Sequence, residues 1–160
     1  MLSEMQNQEI ATEQAGKQMN AKAEKFQKSL EDNNINLFST ELIEDTLKSS
    51  VFRSRIEVKG QQLPAVIIID ESIFTIIRTQ IVTGIDADKR ADLLHCVNEM
   101  NEKFKIFKYY LAEDGTLLMD VCIPFVDETF DSNMIHLMVD VLVRHLDETY
   151  PRLMQKVWGV

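Results

Sequence analysis

The sequence predicts an α+β domain, helices packed on a largely antiparallel sheet, in the order α(α)βββαββα. Three observations carry this reading. Apolar spacing changes from a helical period to strict alternation at Val51 and returns to the helical period after Gly84. Gly60 and Asp114-Gly115 punctuate the apolar runs as turns. A chain of 160 residues with 45% hydrophobic content suits one domain, which at this size buries roughly 70% of its unfolded surface.

Residues 1–33 are expected to form a polar, alanine-rich helical arm, and residues 34–160 a single α+β domain. In the arm Ala11, Ala15, Met19, Ala23, Phe26 and Leu30 recur at three and four, a thin stripe that predicts a helix lying on the domain. Gly16 weakens its start. "EDNNIN" ends it, and "FSTELIEDTLKSS" predicts a short second helix: Ser39 or Thr40 as cap, Glu41 and Glu44 in the first turn, Lys48 in the last.

In "VFRSRIEVKG", Phe52, Ser54, Ile56 and Val58 alternate with charged residues, which predicts a half-exposed strand. "LPAVIIID" is a near-continuous apolar run, a strand covered on both faces with Pro64 near its start. "IFTIIRTQIVTG" predicts a third strand with Ile73, Thr75, Ile77, Thr79 and Ile81 on one face. "IDADKRADLLHCVNEMNEKF" is helical, with Leu93, Leu94, Val97, Met100 and Phe104 in one stripe and Asp86 or Asp88 as cap. "KIFKYYLAEDGTLLMDVCIPF" predicts a hairpin on a two-residue Asp114-Gly115 turn. The last helix starts at an Asp131 or Ser132 cap and carries Ile135, Met138, Val139, Leu142, Leu146, Tyr150, Leu153 and Val157, with a kink or restart expected at Pro151.

Composition narrows function by exclusion. A net charge of −9 opposes nucleic-acid binding, which draws its affinity from Lys and Arg clusters at phosphates. The N-terminus "MLSEMQNQEI" lacks a basic segment followed by an apolar one, and no apolar run approaches the about 18 residues needed to span a bilayer. The expected setting is cytoplasmic, with no membrane contact. Cys96 and Cys122 lack any metal or redox spacing and are expected as reduced core thiols. Phosphate-loop, nucleophile-elbow and zinc-helix motifs are missing, so neither a catalytic residue nor a cofactor is expected and the chain reads as a non-enzyme. His95, His136 and His145 have no ligand spacing. Asp86 and Asp88 fit capping better than calcium binding, because the glycine of a calcium loop is missing.

The segment "VNEMNEKFKIFKYYLAEDGTLLMDVCIPF" and the apolar helix after it resemble the YbjN-type family, described as bacterial sensory-transduction regulators. Asn98 and Asn101 match its asparagine pair, Glu113-Asp114-Gly115 its acidic-glycine turn, and Met134 to Val157 its closing helix, over roughly residues 50–157. The resemblance implies a fold similar to type III secretion chaperones, which bind extended segments of partner proteins and often form dimers. It implies no reaction.

Several residues are candidates for binding. A two-residue turn pairs Asp120 with Tyr109, whose hydroxyl would satisfy a carboxylate on an apolar face shared with Phe107, Leu111, Leu118 and Cys122. The opposite face then carries Ile106, Lys108, Tyr110, Met119, Val121 and Ile123. Asn98 and Asn101 fall on nearly one helical face, where they either tie helix to strand or contact a bound peptide. Both hairpin faces are too apolar for water, and the last helix has a second row at Met134, Leu137 and Val141. Either the N-terminal arm or a second subunit or partner covers this surplus. Adaptable methionines, Met119 and Met134 among them, fit an interaction surface as well as a core. The favoured expectation is a protein-binding or regulatory module, a homodimer, that holds a partner segment through its sheet or last helix. The alternative is a small-molecule sensor with a pocket lined by Tyr109, Tyr110, Asp120 and Asn98.

Overall fold

A computed structural model describes residues 17–159. Helix α1 spans Ala21–Asp32, followed by strands β1 Ser39–Leu42, β2 Ser50–Val58, β3 Gln61–Ile69 and β4 Phe74–Val82. Helix α2 covers Arg90–Lys103, then come β5 Phe107–Leu111, β6 Leu117–Pro124 and the long helix α3, Ser132–Trp158. The strands form one sheet in the order β1-β2-β3-β4-β6-β5, and each neighbouring pair is antiparallel. The α+β class with an antiparallel sheet therefore stands as the sequence predicts it.

The expected short second helix is instead strand β1. Its cap-like residues make a ladder with β2, Ser39 opposite Arg53 and Leu42 opposite Ser50, and Glu41 pairs with Arg53 at 2.7 Å across the strands. Helix signals at a segment of four residues are weak, and cross-strand pairing overrides them.

One face of the sheet carries the core. Phe52, Ile67, Ile77 and Met119 point to it from four adjacent strands, and Phe26 of α1 meets Phe52 edge-on at 4.8 Å. Ile135, Leu142, Leu146 and Leu153 of α3 and Leu93, Val97 and Met100 of α2 close the same layer. Of the N-terminal stripe, Ala23, Phe26 and Leu30 belong to this core, whereas Ala11 and Ala15 lie outside the described residues.

Helix α1 is also pinned by two polar side chains. Asn20 caps it by accepting from the Ala23 N–H and donates its amide to the carbonyls of Lys48 and Ile69. Lys22, fully buried, donates to the carbonyls of Ser72 and Phe125 at the sheet's end. Neither expected aspartate caps α2 through its side chain; a short 3₁₀ turn, Ala87–Lys89, leads into it instead. Asp131 does cap α3, and that helix runs through Pro151 without restarting until Gly159 takes a left-handed conformation.

The two hairpin turns differ in length. Lys59 and Gly60 both have positive φ, the two-residue turn that matches strand twist, and Val58 faces Gln61. Between β5 and β6 the Ala112 N–H bonds to the Thr116 carbonyl, which leaves three residues, Glu113 to Gly115, in the loop. Gly115 sits at φ 82°, and a side chain there would meet the Ile85 carbonyl at 3.0 Å. The loop has three residues where the sequence predicts two, and this one-residue difference rearranges the faces.

Candidate binding face of the sheet

Because of that longer loop, Tyr109 faces Met119 and Asp120 faces Lys108. The expected Tyr109 to Asp120 pairing is therefore corrected, and the two residues lie on opposite faces. Tyr109 and Met119 turn into the core, out of reach of anything docking from outside. Tyr110, Asp120, Leu118 and Cys122 share the second face, opposite the one on which the three helices pack.

At the centre of this face Arg78 of β4 stands opposite Asp120 of β6. Its Nε and Nη2 donate to Oδ1 and Oδ2, each at 2.9 Å, in the bidentate geometry that guanidinium and carboxylate favour. Lys108 Nζ approaches Asp120 from the other side at 3.9 Å. The Tyr110 ring lies between the two cations, 5.9 Å from Arg78 and 5.3 Å from Lys108. Asp120 is only 3% exposed, so its charge is held by these neighbours and not by water.

The Asp120 hydrogen bonds hold the Arg78 pKa above its already high ordinary value. Burial, and then the Asp120 charge, push the Tyr110 hydroxyl up. Cys122 is exposed on the same face and not in the core as expected, while Cys96 is buried. Partial burial raises the Cys122 thiol pKa, so it stays protonated and is a poor nucleophile. The cluster can hold charge and donate hydrogen bonds.

Beside this cluster runs an apolar row in register across the sheet: Val51, Ile68, Ile76 and Cys122, with Glu41 at its end. Phe74 and Pro124 pair at the next level, both exposed, and Ile106 is exposed just before β5.

The remaining candidates separate. Asn101 donates to the Tyr109 carbonyl at 3.0 Å and accepts from the Tyr109 N–H at 2.8 Å, so one side chain fills the place of a neighbouring strand on β5. This is the helix-to-strand tie expected of the pair, made by Asn101; Asn98 is exposed on α2 and makes no hydrogen bond among the described residues. Met134 and Leu137 are exposed on α3 and Val141 is half-buried. A pocket lined by Tyr109, Tyr110, Asp120 and Asn98 does not form, since they occupy three separate surfaces.

Sequence reasoning missed two partners. Arg78 stands 42 residues from Asp120, and only the strand register joins them. His145, buried in α3, lies 2.6 Å from the Tyr109 hydroxyl and stacks on Phe107 with ring centres 3.8 Å apart. Burial lowers its pKa to about 4 and pushes Tyr109 above the ordinary tyrosine range, so both stay neutral near pH 7. Thr149 completes the contact by donating to the His145 carbonyl at 2.9 Å. This trio joins β5 to α3 and is closed to a substrate.

Among the described residues there is no group of three metal-ligating side chains and no helix long and apolar enough to cross a membrane. Comparison with protein-family models, curated proteins and solved structures finds no match to this chain.

Proposed function

We propose that the chain is a non-enzymatic regulatory module that holds a segment of a partner protein through its sheet, with the exposed row of α3 as a flanking contact. The observation that supports this reading is the second sheet face, on the side away from the three helices: a row of buried Val51, half-buried Ile68 and Ile76 and exposed Cys122 beside the Arg78, Asp120, Lys108 and Tyr110 cluster. A face of this kind is costly to leave in water and serves recognition. The asparagine pair, the acidic-glycine turn and the closing helix support kinship with the YbjN-type regulators and a chaperone-like mode of binding, with self-association as one form of it.

Site-directed photocrosslinking in the native cells tests the proposal. A crosslinker at Ile76 should yield a discrete adduct with a second protein or a second copy, and one at Glu148 on α3 should not. Adducts at both positions alike, none at Ile76, or attachment only to the chain's own residues 1–16 would end the proposal.

A further inference from the structure

The two edges of the sheet are treated differently. At β5 the outward N–H and C=O of Tyr109 are occupied by Asn101, a device that denies the edge to another strand. At the other end β1 pairs with β2 only as far as Ser39 opposite Arg53, while β2 continues to Val58. Ser54–Val58 therefore has no neighbouring strand on its outer side among the described residues.

Two cavities flank that edge, one on each side of the sheet. On the helix side a cavity of about 160 Å³ is walled by Ile56, Ala65, Ile67, Ile77, Val139 and Leu142. On the open side one of about 530 Å³ is lined by Arg53, Arg55, Pro64 and Val66. Leu37, Ser54, Arg55 and Ala65 border both, so the cavities meet at the point where β1 stops. Successive side chains of a strand point to opposite faces, so a strand added at this edge would direct alternate residues into one cavity and the other.

We infer that the Ser54–Val58 edge receives an extended segment of a partner protein by strand addition, in which an apolar residue alternates with an acidic one. The smaller cavity has the volume for one aliphatic or aromatic side chain; an apolar cavity of about 150 Å³ holds a benzene ring. The acidic residue follows from the charges opposite. Arg53 is engaged by Glu41, but Arg55 has only a 3.4 Å bond to the Gln62 carbonyl and forms no ion pair among the described residues. Main-chain bonds would supply the affinity and the two cavities the choice of sequence. The inference rests on the proposed partner-binding role and adds the sheet's edge to its face as a place of contact.

The probe is a fluorescein-labelled peptide of alternating leucine and glutamate flanked by threonines, with a second peptide carrying lysine for glutamate. Anisotropy should show binding of the glutamate peptide, weakened at least tenfold by Arg55→Glu, with preference passing to the lysine peptide. Hydrogen exchange should show new protection confined to Ser54–Val58. Ala65→Leu, which fills the apolar cavity, should abolish binding of either peptide. Absence of binding to the wild-type chain, protection elsewhere, or an Arg55→Glu variant with unchanged preference would overturn the inference. A positive Ile76 crosslink with a negative peptide result would remove the edge site and leave the face intact.

Discussion

The covered and open faces of the sheet are built from the same strands, residue by residue in alternation, yet they are stabilised differently. Met119 and Leu118 are neighbours, but the first is wholly buried under the helices and the second only half-buried on the open side. The covered face gains its stability from packing, and the open face is held by an ion pair in register. Among the described residues the one buried carboxylate of the open face, Asp120, is matched by Arg78, which offsets the cost of burying its charge.

The comparison breaks most sharply at that neighbouring pair. Met119→Ala should cost about 3 kcal/mol by cavity formation, and Leu118→Ala less than about 1 kcal/mol, both read from urea midpoints. Equal losses would mean that the open face is as well packed as the core. Next in size is Arg78→Ala, which leaves the Asp120 charge without its bidentate partner and should cost about 2 kcal/mol. The double variant Arg78→Ala with Asp120→Ala should recover part of that loss, because no charge is then stranded.

Asn101→Ala should cost about 1 kcal/mol for its two bonds to Tyr109, whereas Asn98→Ala should stay within about 0.5 kcal/mol. Light scattering should also rise with concentration for the Asn101 variant alone, since it uncovers the β5 edge. The smallest effect near neutrality belongs to His145. Its pKa is lowered from 6.5 to about 4 in the folded chain, so the unfolded chain binds the proton first and stability falls as pH drops from 6.5 towards 4. Thermal melts of His145→Gln, which keeps an acceptor for Tyr109, should lose that part of the pH slope and match the wild type's slope above pH 7.

Periodicity made most of the fold legible. Strands β2 and β4 were read from their alternation, whereas β3, expected to be covered on both faces, is covered on one and half-buried on the other; the buried rows of α2 and α3 follow the helical spacing of their apolar residues. Strand β1 was hidden because Ser39, Thr40 and Glu41 are good helix starters whose extended state depends on Arg53 in another strand. The hairpin register was hidden because Asp-Gly serves two-residue and three-residue loops alike, and one residue of slip exchanges the faces of a whole strand. That slip separated Asp120 from Tyr109 and set it opposite Lys108, while the β4–β6 register supplies Arg78. Asn20 and Lys22 illustrate a further limit: polar residues on a helix read as solvated until the carbonyls they reach are known. Of the candidate site, Tyr110 and Asp120 were both named but placed on opposite faces, Lys108 was placed beside Tyr110, and Arg78 enters only through register.

The amide of Asn101 also bears on assembly. A sheet that can accept a strand at both ends can pass the ladder from molecule to molecule without limit, as fibres do. At β5 the Asn101 amide occupies the N–H and C=O of Tyr109 at the middle of the edge strand, which obstructs that passage at one of the sheet's two ends. One asparagine in α2 thus guards the sheet against open-ended growth through β5.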